Sequence, residues 1–267
     1  MLVLALMAGA LVTGFLSGLL GIGGGGIMVP VMYEIFRIIG VDDSVRMQIC
    51  VATSLAVIVP TSLRSAWGHL KHKAVDFAVL GRLGPWVVAG AIIGVLIAAH
   101  APAAFLKGVF VASALFMASR IAFGAGPAIA KQKLPGLPWD GLAGGGIGLI
   151  ATLIGIGGAA YLTAYMKLFG FPIHTAVGTS SALGPVIAIP AVAGYIIAGW
   201  GSPLTPPLSL GFISILGLVI IAPVSVLTAP LGVRVAHGMS RRSLEYAFIA
   251  FLLLVAFRFS MSLAFGT

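Results

Sequence analysis

Between residues 175 and 233 the chain carries no Asp, Glu, Lys or Arg, and runs at 2–33, 47–63, 83–106 and 141–166 are equally free of charge. About 20 apolar residues suffice for one membrane-crossing helix. The longest run therefore holds two, parted at Gly201-Ser202-Pro203 and Pro206-Pro207. Charged residues are 8% of the 267 and mean hydropathy is +1.17, whereas soluble domains carry about 25% charge. Lipid is the solvent this composition suits. Inside lipid every backbone polar group must bond within the protein, which leaves helices and closed barrels. No segment alternates as a barrel strand does, so an all-α polytopic membrane protein is expected.

The net charge of +9 does not point to nucleic acid, because no basic, aromatic-interleaved face exists outside the spans. Basic residues held on the cytoplasmic side account for it. Cys50 is the only cysteine, so an intrachain disulfide is excluded and a packing role is expected. Residues 2–20 lack a basic start and outrun a signal-peptide core, so they read as a mature helix. No cofactor is expected.

Glycine interrupts the apolar pattern twice. Residues 21–26 read Gly-Ile-Gly-Gly-Gly-Gly, and Gly155-Ile156-Gly157-Gly158 repeats the phrase 134 positions later. Val51-Ala52-Thr53-Ser54 recurs as Val177-Gly178-Thr179-Ser180. Leu106, Phe110 and Arg120 match Leu244, Phe248 and Arg258. Such internal symmetry marks repeats: a first membrane repeat at 1–124, a linker at 125–139 and a second repeat at 140–267.

Breaking each half at its glycines predicts ten segments. They are 2–20, 26–39, 47–67, 77–99 and 104–123, then 141–154, 158–170, 176–199, 208–231 and 245–263. Five per half is odd, so the two repeats are expected to be inverted, with both termini outside. One side then collects Arg64, Lys71, Lys73, Arg82, Arg120, Lys131, Lys133, Lys167, Arg234, Arg241 and Arg242, against Arg37, Arg46, Lys107 and Arg258 on the other. Eleven against four of the 15 basic residues is the bias of cytoplasm over exterior. Merging each broken pair into one helix gives eight against seven, which is no bias. A 14-residue segment such as 26–39 is only about 21 Å long and falls short of a core of about 30 Å. Each repeat is therefore expected to open with a glycine-broken, re-entrant hairpin.

A helix that starts after a break presents N–H groups without intrahelical partners at the positive end of its dipole. Two such starts facing each other would form an anion site. Substrate-binding candidates are thus Gly23, Gly24, Gly25, Gly26 and Ile27 at the first tip, and Gly157, Gly158 and Ala159 at the second. Thr53, Ser54, Thr179, Ser180 and Ser181 supply nearby hydroxyls, and Arg64 is a candidate for balancing the anion's charge. Tight helix packing by small residues is the competing explanation of the glycines. Back-bonding to their own helices is that of the hydroxyls. Gly21-x-Gly23-x-x-Gly26 also fits a dinucleotide fingerprint, but that motif needs a strand before it, and a membrane-length apolar stretch stands there instead.

Other charged groups read as structural. Arg120 and Arg258 occupy matching positions near segment ends, as anchors would. His69-x-x-His72 lies in a basic loop without the carboxylate or thiolate a metal site wants. Glu34 is the only acid in the first hairpin, near its expected outer end. No carboxylate or His/Cys cluster falls at span depth, so an intramembrane enzyme is not expected.

Gly14-Phe15-Leu16-Ser17-Gly18-Leu19-Leu20-Gly21-Ile22-Gly23-Gly24-Gly25 with Val29-Pro30 resembles the first signature of the sulfite exporter TauE/SafE family. Val51-Ala52-Thr53-Ser54, Ala74-Val75-Asp76-Phe77 and the glycine and Thr-Ser phrases of the second half are similar to its further motifs. The resemblance covers nearly the whole chain. It implies a bacterial inner-membrane permease, a secondary transporter of sulfite, sulfonate or related small organic anions that works by alternating access. An anion channel and a non-transporting membrane subunit are the alternatives. The expected partners are a small anionic substrate and the lipid bilayer, with a homo-oligomer left open. In the second half Thr163-Ala164 stands for Val29-Pro30, and Ala159-Ala160 for two glycines, which predicts a tighter second tip.

Overall fold

In the computed structural model, residues 2–20, 25–123, 129 and 132–265 are described. Among them are ten α-helices and one two-stranded hairpin. The first half holds α1 (Leu2–Leu20), α2 (Gly25–Ile38), α3 (Asp43–Lys71), α4 (Phe77–His100) and α5 (Ala103–Ala122). The second holds α6 (Trp139–Ile154), α7 (Ala159–Leu168), α8 (Ile173–Ala198), α9 (Ile215–His237) and α10 (Arg241–Phe265). Six of these helices, α3, α4, α5, α8, α9 and α10, are long and apolar enough to cross a membrane. With that many candidate spans the chain is a multi-pass integral membrane protein.

Local chemistry sets several boundaries. Asp42 caps α3 by accepting from the Ser44 N–H at 2.8 Å, and Asp76 caps α4 through Ala78 and Val79. Side-chain acceptors of this kind satisfy N–H groups that a helix start leaves orphaned. α3 therefore begins at Asp43, ahead of the expected residue 47. The expected segment 208–231 is corrected more substantially. Residues Ser209–Leu210 (β1) pair antiparallel with Ile213–Ser214 (β2), and the helix runs from 215 to 237. Pro206-Pro207 cannot join a helix ladder, and Gly211 turns the hairpin with φ +58°.

The halves exchange partners. α1 packs most extensively along α9, and α4 along α6. Small residues permit both approaches: a Cβ on Gly90 would overlap the Gly145 carbonyl, and one on Gly14 would lie 2.6 Å from the Ser225 carbonyl. α3 packs against α8, and α5 against α10. Two buried threonines fix this exchange. Thr53 of α3 accepts from the Ser214 N–H at 3.0 Å, just ahead of α9. Thr179 of α8 accepts from the Asp76 N–H at 2.9 Å, just ahead of α4.

α2 sits in the main core through Tyr33, Met32 and Phe36. Tyr33 and Phe110 both meet Phe259 edge-on, with ring centroids 5.2 Å apart. At the same end the buried Lys107 reaches Asp43 at 3.2 Å and the Ser262 hydroxyl at 3.2 Å. Arg46 donates to Asp43 and to the Val41 carbonyl. Glu34 bridges Arg37 at 2.9 Å and Arg258 at 3.0 Å, which engages this acid in helix anchoring.

Candidate functional site

Gly21 to Gly24, including the candidates Gly23 and Gly24, lie outside the described residues. The described end of the first tip meets the second directly. A Cβ on Gly25 would lie 2.6 Å from the Gly155 carbonyl oxygen and 2.9 Å from the Ile156 Cα. The second tip turns through three glycines of positive φ: Gly155 at +72°, Gly157 at +72° and Gly158 at +73°. Residues with a Cβ resist this left-handed region.

The turn is pinned at the middle of the two central helices. Ser54 donates to the Gly155 carbonyl at 2.8 Å, fully buried. Gly155 packs on Val51, Gly157 on Ile58, and Gly158 on Ile187 of α8.

Backbone hydrogen bonding lapses across the turn. It stops with the Ile156 N–H donating to the Ala151 carbonyl and resumes with the Leu162 N–H donating to that of Gly158. The N–H groups of Gly157, Gly158, Ala159, Ala160 and Tyr161 thus have no backbone acceptor among the described residues. They sit at the start of α7, the positive end of its dipole.

Beside this start lies a cavity of about 260 Å³. Gly25 and Met28 of α2, and Ile156, Gly157 and Ala159 of the second tip, form its floor. Val57, Ile58, Thr61, Ser62 and Ser65 of α3 face Ser180, Ser181 and Gly184 of α8 across it, with Thr13, Ser225 and Val226 closing the side. Ser65 is exposed and stands at the mouth, toward the Lys71 end of α3. No charged side chain lines it among the described residues. On the far side of Ile156 lies a void of about 30 Å³, lined by Gly26, Ile27, Phe110 and Tyr161 among others. Ile156 touches both spaces and is the wall between them.

The hydroxyls differ in what they can still offer. Those of Thr61 and Ser62 donate back to carbonyls of their own helix, at 2.9 and 2.6 Å, the back-bonding common to such residues. Ser180 accepts from Thr163 at 2.9 Å, and Ser181 accepts from Ser65 at 3.3 Å. Each therefore keeps its own proton for another acceptor. Among the described residues the cavity thus offers neutral amide and hydroxyl donors with no charged side chain beside them.

The candidate residues divide accordingly. Gly25, Gly157, Ala159, Ser180 and Ser181 line the cavity. Gly26 and Ile27 line the neighbouring void, and Gly158 packs behind the turn. Ser54 supports the turn from outside. Thr53 and Thr179 hold the starts of α9 and α4 and are not among the residues lining the cavity. Arg64 is exposed and is not among the lining residues. Thr61, Ser62, Ser65, Thr13 and Ser225 were not singled out from the sequence. One signal was there: Ile58, Thr61, Ser62 and Ser65 share a face of α3 at helical spacing. The second tip lines the cavity despite its two alanines, because Gly155, Gly157 and Gly158 make the turn.

The family model described as "Sulfite exporter TauE/SafE" matches residues 6–259. A "Probable membrane transporter protein" of Haemophilus influenzae is 30% identical over 259 residues, 96% of each chain. A probable membrane transporter protein of Methanocaldococcus jannaschii is 26% identical over 239 residues, 88% of this chain and 86% of the relative. One from Bacillus subtilis is 34% identical over 67 residues, about a quarter of each chain. No solved structure matches the chain with significance.

Proposed function

The chain belongs to the sulfite exporter TauE/SafE family of membrane transporters, and from that premise we propose that it moves a small anion by alternating access. The site is the 260 Å³ cavity, which has room for an oxyanion and several waters at about 30 Å³ each. The observation that carries this reading is that Gly157 and Ala159, whose N–H groups have no backbone acceptor among the described residues, line the cavity together with Ser180 and Ser181. Sulfite, sulfonates and related organic anions are the class this donor set suits. Neutral donors bind an anion loosely enough to release it, as a transport cycle needs.

Two inverted repeats give the rocking element. The exchange of α1 with α9 and of α4 with α6, and the matched caps by Thr53 and Thr179, support a pseudo-two-fold relation. Five helices per half then place the termini together outside a bacterial inner membrane, with the hairpin tips meeting at mid-depth as inverted-repeat transporters do. In that orientation the mouth at Ser65 faces the cytoplasm and Ile156 closes the outer side.

Initial-rate uptake of labelled sulfite, sulfonates and carboxylates into proteoliposomes tests the reading. Replacing Ser180 and Ser181 by Ala should raise the apparent KM about tenfold or more, because each hydrogen bond to a charged group is worth about 1.5–3 kcal/mol. Gly157→Leu should abolish flux while the protein still inserts. Non-saturable flux without counterflow would make it a channel instead, and no flux of any anion by the pure protein would remove the transporter reading.

A further inference from the structure

A second, larger space lies outside the proposed transport cavity. α5, α6 and α7 splay apart around a groove of about 690 Å³. Its walls are apolar, from Val109 and Phe116 of α5 to Ile150 of α6. Arg120, in the last turn of α5, lines the groove as well. The rim is open: Phe116 is 52% and Leu142 66% exposed.

Comparison of the two halves shows what is missing there. Arg120 corresponds to Arg258 at a shift of 138, and Arg258 is neutralised by Glu34 of α2. The position on α7 that corresponds to Glu34, at the glycine-phrase shift of 134, is Leu168, which lines the groove. Among the described residues Arg120 has no ion pair. Asp140, on α6, is already bridged to Arg82 and accepts from Tyr165, a groove residue. One half thus closes its arginine with an internal acid and fills the space with aromatic rings. The other leaves an unpaired cation at the end of an open apolar furrow.

We propose that the α5–α6–α7 groove is a binding site for an anionic phospholipid, with one acyl chain along α5 and the phosphate at Arg120. The groove runs along α5 from Arg120 to Val109, about 16 Å at the helical rise, which suits an acyl chain. Charge complementarity selects the headgroup, since a basic residue near the bilayer surface favours anionic lipid by about 1 kcal/mol. Neither the groove nor Arg120 belongs to the proposed transport site, so the two readings stand or fall separately.

The test uses delipidated full-length protein in detergent, titrated with dioleoyl phosphatidylglycerol or dioleoyl phosphatidylcholine, with bound lipid counted by native mass spectrometry. The wild type should prefer phosphatidylglycerol about fivefold or more, the factor that about 1 kcal/mol supplies. Arg120→Gln should bring the two lipids level, and Arg234→Gln, on exposed α9, should leave the preference intact. Gly146→Leu blocks the groove itself, because a Cβ at Gly146 meets nothing within 4 Å and projects into open space. That variant should unfold at the wild-type temperature yet retain neither lipid. Equal retention of both lipids by the wild type, or undiminished preference in Arg120→Gln, overturns the proposal. So does full retention by a folded Gly146→Leu protein.

Discussion

Two neighbouring glycines offer a sharp test of how the tips meet. A methyl group added at Gly25 would stand 2.6 Å from the Gly155 carbonyl oxygen, whereas at Gly26 it would stand 3.5 Å from the Ile156 Cδ1. The second distance is an ordinary van der Waals contact. The first demands a backbone shift of several tenths of an ångström. That backbone is held by the Ser54 hydrogen bond and by packing on Val51, so no rotamer change relieves it. Forced overpacking costs about 1–3 kcal/mol. At Gly26 the clash is absent, and Ala instead contributes up to about 1 kcal/mol of helix propensity. At roughly 2–4 °C per kcal/mol for a chain of this size, Gly25→Ala should lower the unfolding midpoint by several degrees. Gly26→Ala should hold or raise it. Tryptophan fluorescence of the purified protein during heating reads both, and initial transport rates should fall only for Gly25→Ala. A Gly25→Ala protein as stable and active as Gly26→Ala would mean that the tips do not touch as described.

Ser54→Ala removes the hydroxyl that pins the turn and leaves a buried carbonyl without that donor, a loss of about 1–3 kcal/mol visible as a lower thermal midpoint. Thr53→Val and Thr179→Val strip the acceptors from the Ser214 and Asp76 amides. Each should cost about 1–2 kcal/mol of stability while leaving the apparent KM for the anion unchanged, and a raised KM in a stable variant would return these threonines to the substrate. Asp43→Ala leaves the buried Lys107 without its carboxylate; because Asp43 itself is largely exposed and the pair is screened by solvent, the loss should be about 1–3 kcal/mol. Adding Lys107→Met should recover part of that loss in the same melting assay, and a strictly additive double variant would argue against the pair.

Which parts of this architecture were legible in the chain follows from the solvent. In lipid a long charge-free run has to satisfy its own backbone, so runs such as 83–106 and 175–233 became helices α4 and α8–α9, with the ends of α4 and α8 close to those expected and α9 displaced by the hairpin before it. The break at the second glycine phrase was equally legible, since glycine reaches positive φ without the Cβ penalty. The β1–β2 hairpin before α9 was not, because apolar residues read the same whether they enter a helix or fold back before one.

Side-chain direction needed the tertiary structure. Thr53 and Ser54 are adjacent, yet successive residues on a helix point about 100° apart. One reaches Ser214 at the start of α9 and the other the second glycine turn. Thr179 and Ser180 part in the same way, toward α4 and toward the cavity. Composition and spacing thus set the helices, their number and the places where they break. The cavity exists because α3 and α8 pack with particular faces inward, and a helix's rotation about its own axis is decided only by what packs against it.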